Sequence, residues 1–268
     1  YSLNGELRSR RFMPDDFEPS RFGLKRLKTH VFHGLIFINL SAEPSDFEAE
    51  TAPLSTLLEP LQLESTKVAA RTNYPVAANW KLALENYLEC YHCSPAHPEY
   101  ARIHALRLPE PQLRALRDEF RARPNPNGLS NEHLETGYEA DSDVTSIYYL
   151  RSPLSGDALS GSEDGKPLAP LLGRLVEHDG GSIDVSIGLV TYLLVYTDHA
   201  VVYRFTPRDV QTSDMEVTWL VRDDAKEGVD YELERLTWMW DVTSKADKRI
   251  INDNQAGVNS RFYEPGPF

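Results

Sequence analysis

The sequence predicts an α+β fold, with an antiparallel sheet curled around a long C-terminal helix. Three observations predict it. Strand-like runs follow one another at 144–150, 183–197, 200–206 and 214–222. A helical stretch from about Tyr231 to Gly257 comes after them instead of alternating with them. No glycine-rich phosphate loop follows any strand, so a nucleotide-binding βαβ unit is not indicated.

In chain order, VFHGLIFINL at 31–40 is dense in β-branched and aromatic residues and reads as a buried strand. Residues 44–64 read as a helix, with Leu54, Leu57, Leu58, Leu61 and Leu63 on a broad face. Residues 67–76 alternate as a strand does. Asn79 is placed to cap a helix running through WKLALENYLECYHC to about Cys93. The stretch from about 104 to 180 is the least regular. It is rich in turn residues, with a helix expected near 167–177, and suits a linker or a flap over a site. Beyond it, Thr197, Asp198 and His199 form a turn between two of the later strands.

The chain has 268 residues, enough for one large domain or two small ones. A formal net charge of -13 without a basic cluster argues against nucleic acid and anionic membranes as partners and for small molecules or proteins. No apolar run approaches the roughly 20 residues that cross a bilayer. Cys90 and Cys93 are the only cysteines, so a disulfide scaffold is not expected and a reducing, cytoplasmic compartment is. The chain opens on YSLNGEL without an initiator Met, and the expectation is a fragment of a longer polypeptide.

Residues 85–98, ENYLECYHCSPAHP, carry the chemistry. On a helix running to Cys93, Glu85, Glu89 and His92 share one face. Pro95 would end that helix at Ser94, and the turn would fold His97 back towards His92. Three readings are open. The cluster is a solvated helix terminus; or Cys90, His92, Cys93 and His97 hold structural zinc; or His92 and His97 are two ligands of a mononuclear iron site completed by a distant carboxylate. Cys90-Tyr91-His92-Cys93 also has redox-pair spacing but lacks a thioredoxin-like context. The cysteines are expected to be small buried residues beside the site.

NWKLALENYLECYHCSPAHPEY at 79–100 closely resembles the iron-site segment of Rieske non-haem iron oxygenase α subunits, with its acid, two spacers, His, four spacers, His. VFHGLIFINL resembles the strand leaving that family's Rieske domain. NDNQAGVNSRFYEPGPF at 252–268 resembles the segment after the third iron ligand. The resemblance implies a helix-grip, Bet v 1-like catalytic domain at 46–268, preceded at 1–45 by the tail of a Rieske domain. It implies Fe(II) held by His92, His97 and Asp247, with Asp253 and Asp241 as competing third ligands. Glu89 would be the bridge that carries an electron from a neighbouring subunit's [2Fe–2S] cluster. Two cysteines this close cannot ligate that cluster, so its ligands are expected upstream.

The resemblance further implies electrons from NAD(P)H through a reductase or ferredoxin, and a trimeric ring. The expected reaction is hydroxylation or oxidative N-demethylation of a small substrate. Glutamate at position 89 resembles members acting on quaternary ammonium compounds. Ring dihydroxylation of an arene is the alternative, and a non-enzymatic hydrophobic ligand-binding module the alternative of another class. Tyr192, Tyr196, Tyr203 and Phe205 are candidates to line a pocket, their faces suited to a cation.

Overall fold

Alternating burial along the strands sorts the side chains into two cores, one on each face of a single sheet. The structure, a computed structural model, describes residues 1–137 and 144–266. Strands β1 (Lys28–Phe32) and β2 (Leu35–Asn39) form a separate hairpin. Helix α1 (Phe47–Leu58) leads into β3 (Thr66–Val76). Helices α2 (Trp80–Leu88), α3 (Cys93–Ala96), α4 (Pro98–Ile103) and α5 (Glu110–Ala122) follow. The chain then makes β4 (Leu134–Thr136), β5 (Ile147–Pro153), β6 (Gly181–Ile187), β7 (Thr191–Val195), β8 (Ala200–Asp209) and β9 (Thr212–Arg222), and ends in α6 (Leu233–Val258). The main sheet has seven strands in the order β3-β9-β8-β7-β6-β5-β4, every pair antiparallel.

Tyr203 and Phe205 of β8 and Met215, Val217 and Trp219 of β9 face the core shared with Met239, Trp240 and Ile251 of α6. Ile183, Val185 and Ile187 of β6 face the opposite core, with Leu54, Leu57 and Leu58 of α1. Because successive side chains alternate, Ser182, Asp184 and Ser186 of β6 are turned to the α6 side. A polar stripe therefore sits on the inner face of the sheet, and the cavity described below lies against it.

The fold class and the long terminal helix agree with the sequence reading, and several local expectations do not. Residues 31–40 are two strands, not one. His33 and Gly34 both take positive φ, 46° and 83°, as a two-residue hairpin turn requires. The hairpin is also not buried, since Val31 and Ile36 are 74% and 73% exposed. Residues 167–177 form no helix. Pro170 lacks the N–H a helix needs, and the backbone N–H groups of Leu172 and Arg174 donate to Thr197 and Pro60 carbonyls instead. Gly173 has φ 48°, and a Cβ there would lie 2.5 Å from the Pro60 carbonyl oxygen. The irregular stretch at 104–180 holds α5, β4 and β5, so it builds one edge of the main sheet. The run 183–197 is two strands, broken at Gly188, which takes φ 68°.

Candidate metal centre

The C-terminal helix fixes where α2 begins. Asn79 caps it, its Oδ1 accepting from Lys81 N at 2.9 Å. The Asn79 backbone N–H donates to Gln255 Oε1, and that of Ala77 to Asn252 Oδ1, each at 2.8 Å. Asn252 and Gln255 thus dock α2 along α6. The last two residues of the 252–268 motif lie outside the described residues.

Helix α2 stops at Leu88, earlier than the sequence predicts. Glu89 is extended, at φ -99° and ψ 113°. Glu85, Glu89 and His92 therefore do not share a helix face. Pro95 does not end a helix either; it sits in the single turn of α3, where its missing N–H has no intrahelical partner to lose. His97 takes φ -125° and ψ 70° between α3 and α4, and Pro98 occupies the first position of α4. Leaving the helix at Glu89 and turning at His97 brings the two imidazoles together, with ring centroids 5.1 Å apart.

Both rings aim Nε2 at one carboxylate oxygen of α6. Asp247 Oδ1 lies 3.2 Å from His92 Nε2 and 2.8 Å from His97 Nε2, and accepts from Asn86 Nδ2 at 2.9 Å. Ligand atoms of His92, His97 and Asp247 all fall within 4.8 Å of one another. Among the described residues no other group of three such side chains converges, and Cys90 and Cys93 stay outside it. Cys93 is buried, but Cys90 is exposed, against expectation. Asp253 faces Arg249 across 3.7 Å and is mostly in solvent. Asp241 accepts from Tyr74 Oη at 2.7 Å and pairs with Lys245.

Glu89 grips His92 from the other side. Its Oε2 lies 3.2 Å from His92 Nδ1 and its Oε1 accepts the His92 backbone N–H at 3.1 Å. The imidazole lies between two carboxylates. Its hydrogen bond to Asp247 and then that to Glu89 outweigh burial and push its pKa up to about 9. Burial alone would raise the Asp247 carboxyl, but hydrogen bonds from His92, His97 and Asn86 hold it below the ordinary range. His97 is 1% exposed, and its Nδ1 is buried without a partner among the described residues, so Nε2 is its engaged nitrogen. Two imidazole nitrogens and one carboxylate oxygen meeting at a point are the donor set that suits a divalent first-row metal, which would take the place of the shared protons.

A small cavity of about 90 Å³ adjoins the triad, and a larger one of about 450 Å³ lies beside it. Tyr87, Cys90, Tyr100 and Asp184 line both and form the wall between them. Of the expected aromatic residues, Tyr192 reaches the larger cavity and Tyr203 the smaller. Tyr196 and Phe205 are each 1% exposed and belong to the core. Bigger cavities beneath β1–β2 and beside α5 do not touch the triad.

Sequence reasoning passed over Asn86, Asp184 and the tyrosines of α2 and α4. A signal for Asp184 was present: an acid set among the β-branched residues of GSIDVSI.

His104 closes the far side of the larger cavity, stacked on Tyr100 with centroids 3.8 Å apart. Nδ1–H donates to the Tyr100 carbonyl at 3.0 Å, and Nε2 accepts from Tyr196 Oη at 2.7 Å. Burial pushes its pKa down to about 4. The unfolded chain binds this proton first, so stability is lost as pH falls from about 6.5 towards 4. Between pH 7 and pH 5 the loss from this group is on the order of 2 kcal/mol. Urea midpoints at the two pH values should differ less in His104→Phe than in the wild type; an equal difference would exclude His104 as the source.

Residues 63–268 match the family described as Ring hydroxylating alpha subunit (catalytic domain). The glycine betaine monooxygenase oxygenase subunit of Pseudomonas aeruginosa (strain UCBPP-PA14) is 34% identical over 280 residues, covering 100% of this chain and 63% of that protein. A quaternary ammonium Rieske monooxygenase superposes with a TM-score of 0.64 at 19% identity, over 98% of this chain and 61% of the other. Naphthalene 1,2-dioxygenase from Rhodococcus sp. does so with a TM-score of 0.57 at 18% identity, over 98% and 62%. At those identities the two structures speak for the fold alone. The chain spans about 63% of the length of the curated relative. Among the described residues no helix is long and apolar enough to cross a membrane.

Proposed function

Because the chain belongs to the family of ring-hydroxylating α-subunit catalytic domains, we propose that it holds Fe(II) on His92, His97 and Asp247 and oxygenates a small quaternary ammonium compound. The observation that carries this reading is the convergence of His92 Nε2, His97 Nε2 and Asp247 Oδ1 at the wall of an aromatic cavity. When bound, iron would supply the reductive activation of dioxygen, since three protein donors leave coordination positions open.

The chain's own residues set the conditions. Glu89 takes the Nδ1–H of His92, fixing the tautomer that leaves Nε2 free for the metal. Asn86 orients the Asp247 carboxylate in the same way. Tyr87, Tyr100 and Tyr203 keep the approach apolar and limit water at the reacting carbon. The overall change consumes the N-methyl substrate, dioxygen, two electrons and two protons, and yields the N-hydroxymethyl compound and water. The hydroxymethyl group then leaves as formaldehyde, the C–N pair stays on nitrogen as a tertiary amine, and a proton is released. The electrons come from a reductase or ferredoxin fed by NAD(P)H. A [2Fe–2S] cluster on a neighbouring subunit of a trimer would relay them, and the half-exposed Glu89 carboxylate, which holds the outer nitrogen of His92, would be the point of entry. Residues 1–45 form the tail of the domain that carries this cluster.

Anaerobic titration of the metal-free chain with Fe(II) should reach about one ion per chain, as one facial triad requires. Glu89→Gln should keep that stoichiometry, since Glu89 touches the ring nitrogen away from the metal. An iron content near zero in the wild type would overturn the reading.

A further inference from the structure

We propose that the larger cavity reads a zwitterion at two points, with Asp184 seating the cationic nitrogen at the metal-side wall and Arg117 holding the anionic end. This rests on the metal reading above and names which charges select the substrate.

Asp184 stands on the wall shared by the two cavities, so a group held against it is the group presented to the triad. Its carboxylate makes no hydrogen bond and no ion pair with any described residue. Other acids buried in this chain do not stand alone. Asp179 is paired with Arg151, Asp198 with His199, and Asp247 with the two histidines. An unpaired carboxylate inside a protein is costly, and the cost persists where a ligand's charge removes it. The surroundings favour one class of cation. Tyr87, Tyr100 and Tyr192 line the same cavity. A tetraalkylammonium ion has no N–H to donate, so it is held by charge and by aromatic faces, and both are offered here. Burial pushes the Asp184 pKa up to about 7, and a cation seated there favours the ionised form.

The second charge comes from the helix that covers the cavity. Arg117 of α5 lines it, is half-buried, and has no carboxylate within ion-pair distance among the described residues. Arg114, one turn earlier, pairs with Glu110 instead. Glu135 is on the same wall but faces His133 at 3.5 Å. A guanidinium left open above the chamber is suited to a carboxylate, which it can bind through two parallel N–H bonds. A neutral arene would satisfy neither charge.

Three probes separate the two contacts by calorimetric binding to metal-free protein. Glycine betaine carries both charges, choline only the cation, and 3,3-dimethylbutanoate only the carboxylate. Wild-type protein should bind glycine betaine more tightly than either. Asp184→Asn should weaken glycine betaine and choline about tenfold or more and leave 3,3-dimethylbutanoate unchanged. Arg117→Gln should weaken glycine betaine and 3,3-dimethylbutanoate by a similar factor and leave choline unchanged. Asp184→Glu, which keeps the charge, should recover part of the loss, and Fe(II) stoichiometry in each variant reports that the fold is intact. Choline binding that ignores Asp184→Asn, betaine binding that ignores Arg117→Gln, or no binding of either cation by the wild type overturns the assignment. Such a failure leaves the iron stoichiometry as it was, whereas failure of the metal reading removes it.

Discussion

Asp247→Asn is expected to lower Fe(II) affinity by more than about a hundredfold, the upper range for removing an outer partner of a metal ligand. The substitution keeps size and removes the charge at the point where both imidazoles aim. His97→Ala should have the same effect, but His97 is 1% exposed and its loss also opens a void. The asparagine variant is therefore the cleaner probe, with circular dichroism to confirm the fold. Asp253→Asn should retain iron, because that carboxylate lies on the solvent side with Arg249. A chain that keeps stoichiometric iron with Asn at position 247 would remove the triad as the binding site.

Asp179→Ala should destabilise the fold by roughly 3–5 kcal/mol, the usual cost of stranding a buried charge. Arg151 and Asp179 meet at 2.7 Å with side chains 1% and 2% exposed. Arg151 also donates to Asn131 Oδ1 at 2.6 Å and lies 4.9 Å from the centre of the Phe120 ring. Asp179 further accepts from Asn125 Nδ2 at 2.7 Å and from the Gly181 N–H at 3.0 Å. The pair ties α5 to β5 and β6, the elements that enclose the larger cavity. Urea unfolding measures the cost, and a loss under about 1 kcal/mol would place the pair among those with no net effect. The double variant Arg151→Met, Asp179→Leu should be much closer to wild type, since no charge is then stranded.

What could be read from the sequence followed from local rules. The capping Asn79, the alternation at 67–76 and the long helix need only neighbours in the chain. So does the closeness of His92 and His97, only five positions apart. The sequence predicts a helix through Glu89, which lies beyond the end of α2, because nothing local marks Leu88 as the last helical residue. The break is set by what Glu89 holds, the His92 ring and backbone N–H, which no periodicity reveals. Residues 167–177 lost their expected helix to carbonyls of Thr197 and Pro60, a competition decided only in the folded chain. Residues 31–40 looked buried because an apolar run carries no record of whether a partner covers it. An acid within GSIDVSI marks Asp184 as unusual, but the face it takes depends on register with the neighbouring strands.

The triad is also a staple across the whole polypeptide. His92 and His97 stand 155 and 150 positions from Asp247, so the unfolded chain offers no comparable grip. Any ion captured there draws on the same free energy that holds α6 against α2, and at a hundred times its dissociation constant adds about 2.7 kcal/mol to global stability. Thermodynamic reciprocity then makes the pocket sensitive at long range. Trimming Ile251, a fully covered residue of α6 that touches no ligand atom, should surface first as weakened capture of the ion whenever it lets the helix drift.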